Sequence, residues 1–278
     1  MNDNIFEIEN LKCAYDKKQD VANRVLDIEA LNIPKGKMVF FVGPSGIGKS
    51  TILEVLGFMN DTIVSADKFL YKGTDMRSAW QDMDDRAQSE FRNTEFSFIF
   101  QDNNLMPNFT AYENVMFTAM FQGMGKEVAR LKTKELLELL DVPSAEDRSI
   151  RHFSGGQRQR LAFARAILPE FEVLFGDEPT GNLDKGSAEN VMKILHKRVH
   201  DRGVTAIIVS HDMRLAQKYA DMVVQIQRVC RGIHDDGSED NYGRIDSNSL
   251  FYKDKEGWHD SVHRYSSDEF LKKLEEAL

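Results

Sequence analysis

Short, nearly continuous apolar runs that end in a small or polar residue recur along the chain: KMVFFVG at 37–43, FEVLFGDE at 171–178 and VTAIIVSHD at 204–212. Runs of this length read as strands covered on both faces, the pattern of a parallel sheet flanked by helices. Between them apolar positions recur at helical spacing, in KSTILEVLGFM after the first run, KEVARLKTKELLELL at 126–140 and SGGQRQRLAFARAIL at 154–168. One such run alone fits a buried helix as well as a strand; three of them alternating with helices predict an α/β fold. No internal repeat or low-complexity tract interrupts the alternation. Past about residue 226 it gives way to the polar RGIHDDGSEDNYGRIDSNS, which predicts a boundary between a main domain, 1–226, and an extension, 227–278.

Within the extension RIDSNSLFY is strand-like, and SSDEFLKKLEEAL predicts a closing helix. Ser266 and Glu269 have the spacing of a capping box, and Phe270, Leu271, Leu274 and Leu278 fall on one side. A helix of about three turns is marginal in water by itself, so it is expected to dock, on its own chain rather than on a partner. A chain cut after Gln227 is then expected to lose thermal stability but keep its partner.

Candidate chemistry sharpens this picture. In FVGPSGIGKST, residues 41–51, the positions Gly43, Gly46, Gly48, Lys49 and Ser50 match G-x-x-x-x-G-K-[ST], between a predicted strand and a predicted helix. Such a loop cradles phosphate. Gly43, Ser45, Gly46, Ile47 and Gly48, in a loop whose Pro44 has no N–H of its own, bring backbone N–H groups close to the oxygens, the helix N-terminus adds positive potential, and Lys49 supplies a cation. The Ser50 hydroxyl, beside Thr51, is placed to meet Mg²⁺. Asp177 and Glu178 end a second strand; the first is placed to hold Mg²⁺ and the second to take a proton from an attacking water. Ser154 sits at the N-cap of a third helix, where a hydroxyl and the amides of Gly155, Gly156 and Gln157 form an anion site without a lysine.

The hydrophobe Phe153 followed by Ser154-Gly155-Gly156-Gln157 resembles the signature of the ATP-binding subunits of ABC transporters. The resemblance runs over roughly residues 5 to 226 and takes in Tyr15, the glycine loop at 43–50, Gln101 in FIFQD, the signature at 153–157, Asp177 and Glu178, GNLD at 181–184 and His211 in VSHD, in that order. It departs mildly in having Phe153 where leucine is commoner and Gly176 where alanine is usual. The resemblance implies a mixed sheet flanked by helices, with a helical subdomain at about 102–160. It also implies that two chains pair head to tail, each signature closing over the partner's loop to sandwich two ATP molecules. Tyr15 then stacks on adenine, Gln101 reaches Mg²⁺ and the water, His211 contacts the γ-phosphate, and Asp184 belongs to the loop that couples the two sites. FQDNNLMPNFTAYENVMF and DEPTGNLD resemble the branch of lipoprotein-releasing, macrolide-efflux and cell-division ATPases, which implies an integral membrane permease as partner and a place on the cytoplasmic side of the inner membrane. Leu105, Met106, Pro107, Phe109 and Tyr112 form an apolar stripe where the family receives a short helix of that permease; packing inside the helical subdomain accounts for the stripe as well.

Composition narrows the partners further. At 278 residues the chain can bury a sizeable core, and its formal charge of −9 argues against nucleic acid as a partner. Cys13 and Cys230 lie far apart without metal-site spacing, which fits a reducing cytoplasm. The start, MNDNIFEIEN, has no basic segment leading into an apolar run, and no apolar stretch is long enough to span a bilayer. His152, His196, His200, His234, His259 and His263 match no motif and read as surface residues. Two alternatives share the catalytic motifs: a cell-division or signalling actuator that moves no cargo, and a soluble assembly ATPase. A chromosome-maintenance ATPase is excluded, because no heptad run separates Lys49 from Ser154.

Overall fold

The computed structural model describes residues 3–15, 24–142, 149–233 and 239–276. His234 and Leu278, both singled out in the sequence, lie outside them. β1 (Asn4–Cys13) and β2 (Leu26–Pro34) pair antiparallel, and β3 (Met38–Val42) leads through the glycine loop into α1 (Lys49–Leu56). This helix stops three residues short of the apolar pattern that predicts it. Gly57 caps it, and Phe58 turns into a left-handed conformation that delivers its ring to Trp80, Phe91 and Phe96. The sequence pattern missed the next elements, β4 (Ile63–Ser65), β5 (Lys68–Tyr71), β6 (Thr74–Asp75), α2 (Met76–Asp82) and α3 (Asp85–Glu95).

After β7 (Phe96–Ile99) come α4 (Ala111–Phe121), α5 (Lys126–Leu139) and α6 (Gly155–Ile167), which pack on one another. β8 (Val173–Asp177), α7 (Lys185–Arg202), β9 (Thr205–Val209), α8 (Met213–Tyr219) and β10 (Met222–Gln225) complete the alternation. β10, β3, β9, β8 and β7 lie side by side, all parallel. The two faces of β3 explain its unbroken apolar run. Met38, Phe40 and Val42 enter a core shared with the helices, while Val39 and Phe41 enter a second core against β1 and β2.

The last residues are an extension in sequence but not in space. β11 (Gln227–Ile233) and β12 (Glu239–Ile245) join the first sheet, with β12 parallel to β2. β13 (Leu250–Asp254), β14 (Gly257–His259) and β15 (Arg264–Tyr265) join the second, with β13 antiparallel to β10. RIDSNSLFY is therefore two strand ends rather than one strand, broken at Ser247–Ser249 by a turn that Asp246 caps. α9 (Ser267–Glu275) has the predicted capping box and packs on α8. Phe270 and Leu274 are fully buried, and the Phe270 ring stacks on Trp258 at 4.1 Å. Trp258→Ala should cost about 3–5 kcal/mol, as for other fully buried aromatic deletions. For a chain of this size that lowers the melting temperature by roughly 10 °C, which calorimetry would detect; a shift of only a degree or two would mean that the tail is not part of the core.

Candidate functional site

The loop from Gly43 to Ser50 joins the C-terminal end of β3 to the N-terminus of α1. Gly48 is the N-cap at φ +91, and a Cβ there would lie 3.2 Å from the Val25 carbonyl oxygen. Glycine satisfies both demands, the left-handed backbone and the close approach. Ser45 and Gly46 form the exposed rim and Ile47 points into the core. Lys49 is buried, and its Nζ donates to the Gly43 and Pro44 carbonyl oxygens at 2.8 and 2.6 Å. Burial pulls its pKa down, against the attraction of Glu178 and Asp177. Thr51 lies beneath the loop and shares a 2.7 Å hydrogen bond with the Tyr15 hydroxyl, while Tyr15 remains 69% exposed. An exposed aromatic ring tethered at its hydroxyl is a ready stacking surface.

The acidic pair meets the loop directly. The Ser50 hydroxyl donates to Asp177 Oδ2 at 2.7 Å. Glu178 has φ +48, a left-handed conformation uncommon for a residue with a side chain, and its N–H donates to the Val209 carbonyl at 3.0 Å. Its Oε2 accepts from the His211 N–H at 3.4 Å, and His211 Nε2 lies 3.4 Å from Oε1. Burial pushes the Glu178 carboxyl up to about 6, with Asp177 and Asp212 adding to the rise and the His211 N–H and Lys49 opposing it. Burial and Lys49 push the His211 imidazole down, against the attraction of Asp177. At Gly176 a Cβ would fall 2.8 Å from Ile208 Cδ1 and 3.3 Å from Pro179 Cγ, so the Ile208 side chain on β9 occupies the space that an alanine methyl would take.

The remaining motif residues lie in a turn and at two helix N-caps. Gln101 is exposed in the turn after β7, and Phe98 to Phe100 just before it line a cavity of about 230 Å³ together with Ser50 and Asp177. Ser154 caps α6: its hydroxyl accepts from the Gln157 N–H at 3.2 Å, and the Ser154 N–H donates to Gln157 Oε1 at 2.9 Å. Asp184 caps α7, and hydrogen bonds from the Ser187 N–H and hydroxyl hold its carboxyl below the usual range. Of the apolar stripe, Tyr112 is buried core, Leu105, Met106 and Phe109 are half-buried, and Pro107 is exposed.

Two positioning residues escaped the sequence reading. Gln159, fully buried, donates to the Glu178 carbonyl at 2.7 Å and accepts from the Asn182 N–H at 2.8 Å, tying the signature helix to the segment after the acidic pair. Asn114, also fully buried, accepts from the Met106 N–H at 2.7 Å and donates to the Met106 and Thr110 carbonyls, pinning the stripe. The available signal was an amide side chain on the apolar face of a helix, Gln159 one turn before Phe163; a buried amide needs partners, and here those partners are loops.

Comparison with known proteins widens the basis. The pattern of a family described as ABC transporter matches residues 26–181. The chain is 34% identical over 218 residues to the lipoprotein-releasing system ATP-binding protein LolD of Shewanella oneidensis, covering 78% of this chain and 92% of that protein. It is 36% identical over 223 residues to the macrolide export ATP-binding/permease protein MacB of Shigella flexneri, covering 80% of this chain and 33% of that protein, so it spans about a third of MacB's length. The fold is similar to a dimeric post-hydrolysis state of the ATP-binding cassette MJ0796 bound to ADP and Pi. The TM-score there is 0.71 at 27% identity, covering 87% of this chain and 96% of the other.

Proposed function

The chain belongs to the ABC transporter family, and on that premise we propose a role for each part of its site. It is an ATP-binding, ATP-hydrolysing subunit with the α/β fold of the family's cassettes. In the proposed reading the loop from Gly43 to Thr51 holds the phosphates of ATP and Tyr15 stacks on adenine. Glu178 takes the proton from a water as that water's oxygen bonds to the γ-phosphorus and the bond to the bridging oxygen breaks, leaving ADP and phosphate. His211 lies against the Glu178 carboxylate and fixes its direction. The Ser50 hydroxyl and the Asp177 carboxylate, 2.7 Å apart, together with the Gln101 amide oxygen would supply hard oxygen ligands of the kind that suit Mg²⁺, which when bound would offset phosphate charge. The observation that carries the reading is the Glu178 carboxyl, buried between Asp177 and His211 and pushed up to about 6.

A base must be ionised to act, so activity should be lost as pH falls through its pKa. The kcat/KM profile is expected to show an acid limb with its midpoint near pH 6. A limb below about pH 5, the range of an ordinary carboxylate, would remove Glu178 as the titrating group.

The second copy of the chain and the permease belong to the same proposal. Two anion sites on one chain, at Lys49 and Ser154, are complementary halves if two copies pair head to tail, with Asp184 coupling the pair. We further propose residues 1–226 as the ATPase domain, its helical subdomain at about 102–160, and residues 227–278 as an extension in sequence whose strands complete both sheets of that domain. Among the described residues no helix is long and apolar enough to cross a membrane. Similarity to LolD, an ATP-binding protein of a lipoprotein-releasing system, supports an integral membrane permease as partner, with this chain on its cytoplasmic face. Similarity to LolD and MacB supports export, lipoprotein extraction or mechanical work on the far side of the membrane. Extraction of membranes in mild detergent and purification on a tag should bring down a multi-pass membrane protein in comparable amount. Recovery of the chain only from the soluble fraction would favour the assembly ATPase instead.

A further inference from the structure

The tail strand β12 runs beside the glycine loop. Gly243 pairs with Leu26, and its N–H donates to the Val25 carbonyl oxygen at 3.0 Å, the same oxygen that a Cβ on Gly48 would approach. The strand lies so near the loop that a Cβ on Gly243 would fall 2.1 Å from the Ile47 carbonyl oxygen and 2.7 Å from Ile226 Cγ2. Ile226, fully buried where the chain leaves one sheet for the other, donates its N–H to the Val42 carbonyl at 2.8 Å. Its own carbonyl oxygen lies where a Cβ on Gly43 would come within 2.8 Å. Gly43, Ile226, Gly243 and Ile47 thus close a ring of contacts beneath the phosphate loop, and neither glycine in it has room for a methyl group. The preceding residue of β12 reinforces the placement: the Tyr242 ring lies under the Arg24 guanidinium at 4.3 Å and its hydroxyl accepts from Arg24 at 3.0 Å, fixing the start of β2.

We propose that β12, and Gly243 in particular, is a positioning element of the nucleotide site. It holds the Ile47 peptide, and through it the amides of Gly48 and Lys49, at the spacing that the phosphate oxygens require. The inference rests on the reading of residues 43–50 as the ATP cradle. A methyl group at Gly243 meets backbone rather than the yielding end of a side chain, so either the loop or the strand must move. The loop is the member whose displacement is read in binding, because an array of amides loses its anion when its spacing changes.

Gly243→Ala and Gly232→Ala make a matched pair. Gly232 lies on the neighbouring strand β11 with no heavy atom within 4 Å of the added Cβ, so it controls for alanine in the hairpin. Gly243→Ala is expected to lower the melting temperature by several degrees and, measured where the chain is still fully folded, to raise the Kd for ATP by at least about tenfold, and Gly232→Ala to leave both near the parent's. A folded Gly243→Ala chain whose Kd is within about twofold of the parent's overturns the inference while the cradle reading stands. Absence of ATP binding by the unaltered chain overturns both. Should Gly243→Ala not fold, hydrogen exchange in the unaltered chain decides: ATP should slow exchange at residues 240–245 as well as at 43–51, and no change at 240–245 overturns the inference.

Discussion

Glu178→Gln is expected to bind ATP as tightly as the parent chain and to hydrolyse it at least about 100-fold more slowly, the loss that follows when a positioned base is removed. The amide keeps the shape of the side chain and an oxygen that can accept from the His211 N–H, so the backbone turn at φ +48 has no reason to relax. It cannot take a proton. Binding and hydrolysis should therefore separate, and ATP should accumulate on a paired form of the chain detectable by size-exclusion chromatography. Phosphate release within a few-fold of the parent's would transfer the role of base to another group, with Asp177 the nearest alternative.

The second large effect concerns sharing between copies. Lys49→Ala removes the cation of the loop, and Ser154→Arg puts a bulky cation where the signature helix offers its N-terminus; each homodimer is expected to lose at least about 100-fold in hydrolysis. In a mixture, a head-to-tail dimer of one chain of each kind collects both lesions in one composite site and leaves the other intact. The mixture should recover a substantial fraction of parental activity although each component alone retains about 1% or less. Ser154→Arg also removes an N-cap, worth about 1 kcal/mol, so its melting temperature must be compared with the parent's. A fully active Lys49→Ala or Ser154→Arg homodimer, or a folded mixture no more active than its parts, would refute a shared site.

Legibility in the sequence followed from where burial is two-sided. β3, β8 and β9 are covered on both faces, so their apolar runs were unbroken and their ends, at Gly43, Asp177 and the SHD turn, located the chemistry. The tail was opaque for the opposite reason. β12, EDNYGRI, carries apolar character only at Tyr242 and Ile245; its hairpin partner β11 is also largely polar, and the contact that gives it a place in the sheet is with Leu26 to Ile28, at the other end of the chain. Pairing over such a separation leaves no local period to find. α3 has no buried residue, so no apolar stripe marked it. Gln159 was hidden because a single amide in an apolar face shows its purpose only when the loops it holds are in place.

The crossing at Ile226 bears also on the order in which the molecule can be made. A growing chain releases β1, β2 and the glycine loop early, yet the strand that lies against Ile47 and the one that flanks β10 emerge roughly 200 residues later. Closing contacts between such distant segments is slow, because the entropy of a long loop must be met before any contact is gained. Until then Ile226 and the free edges of β2 and β10 are open to water and to other nascent chains, the state in which partly made sheets aggregate. On the proposed role of β12, competence to hold nucleotide would arrive only after that strand is made, and a ribosome that stops short of β12 would release a chain with the complete motif and an unsupported loop.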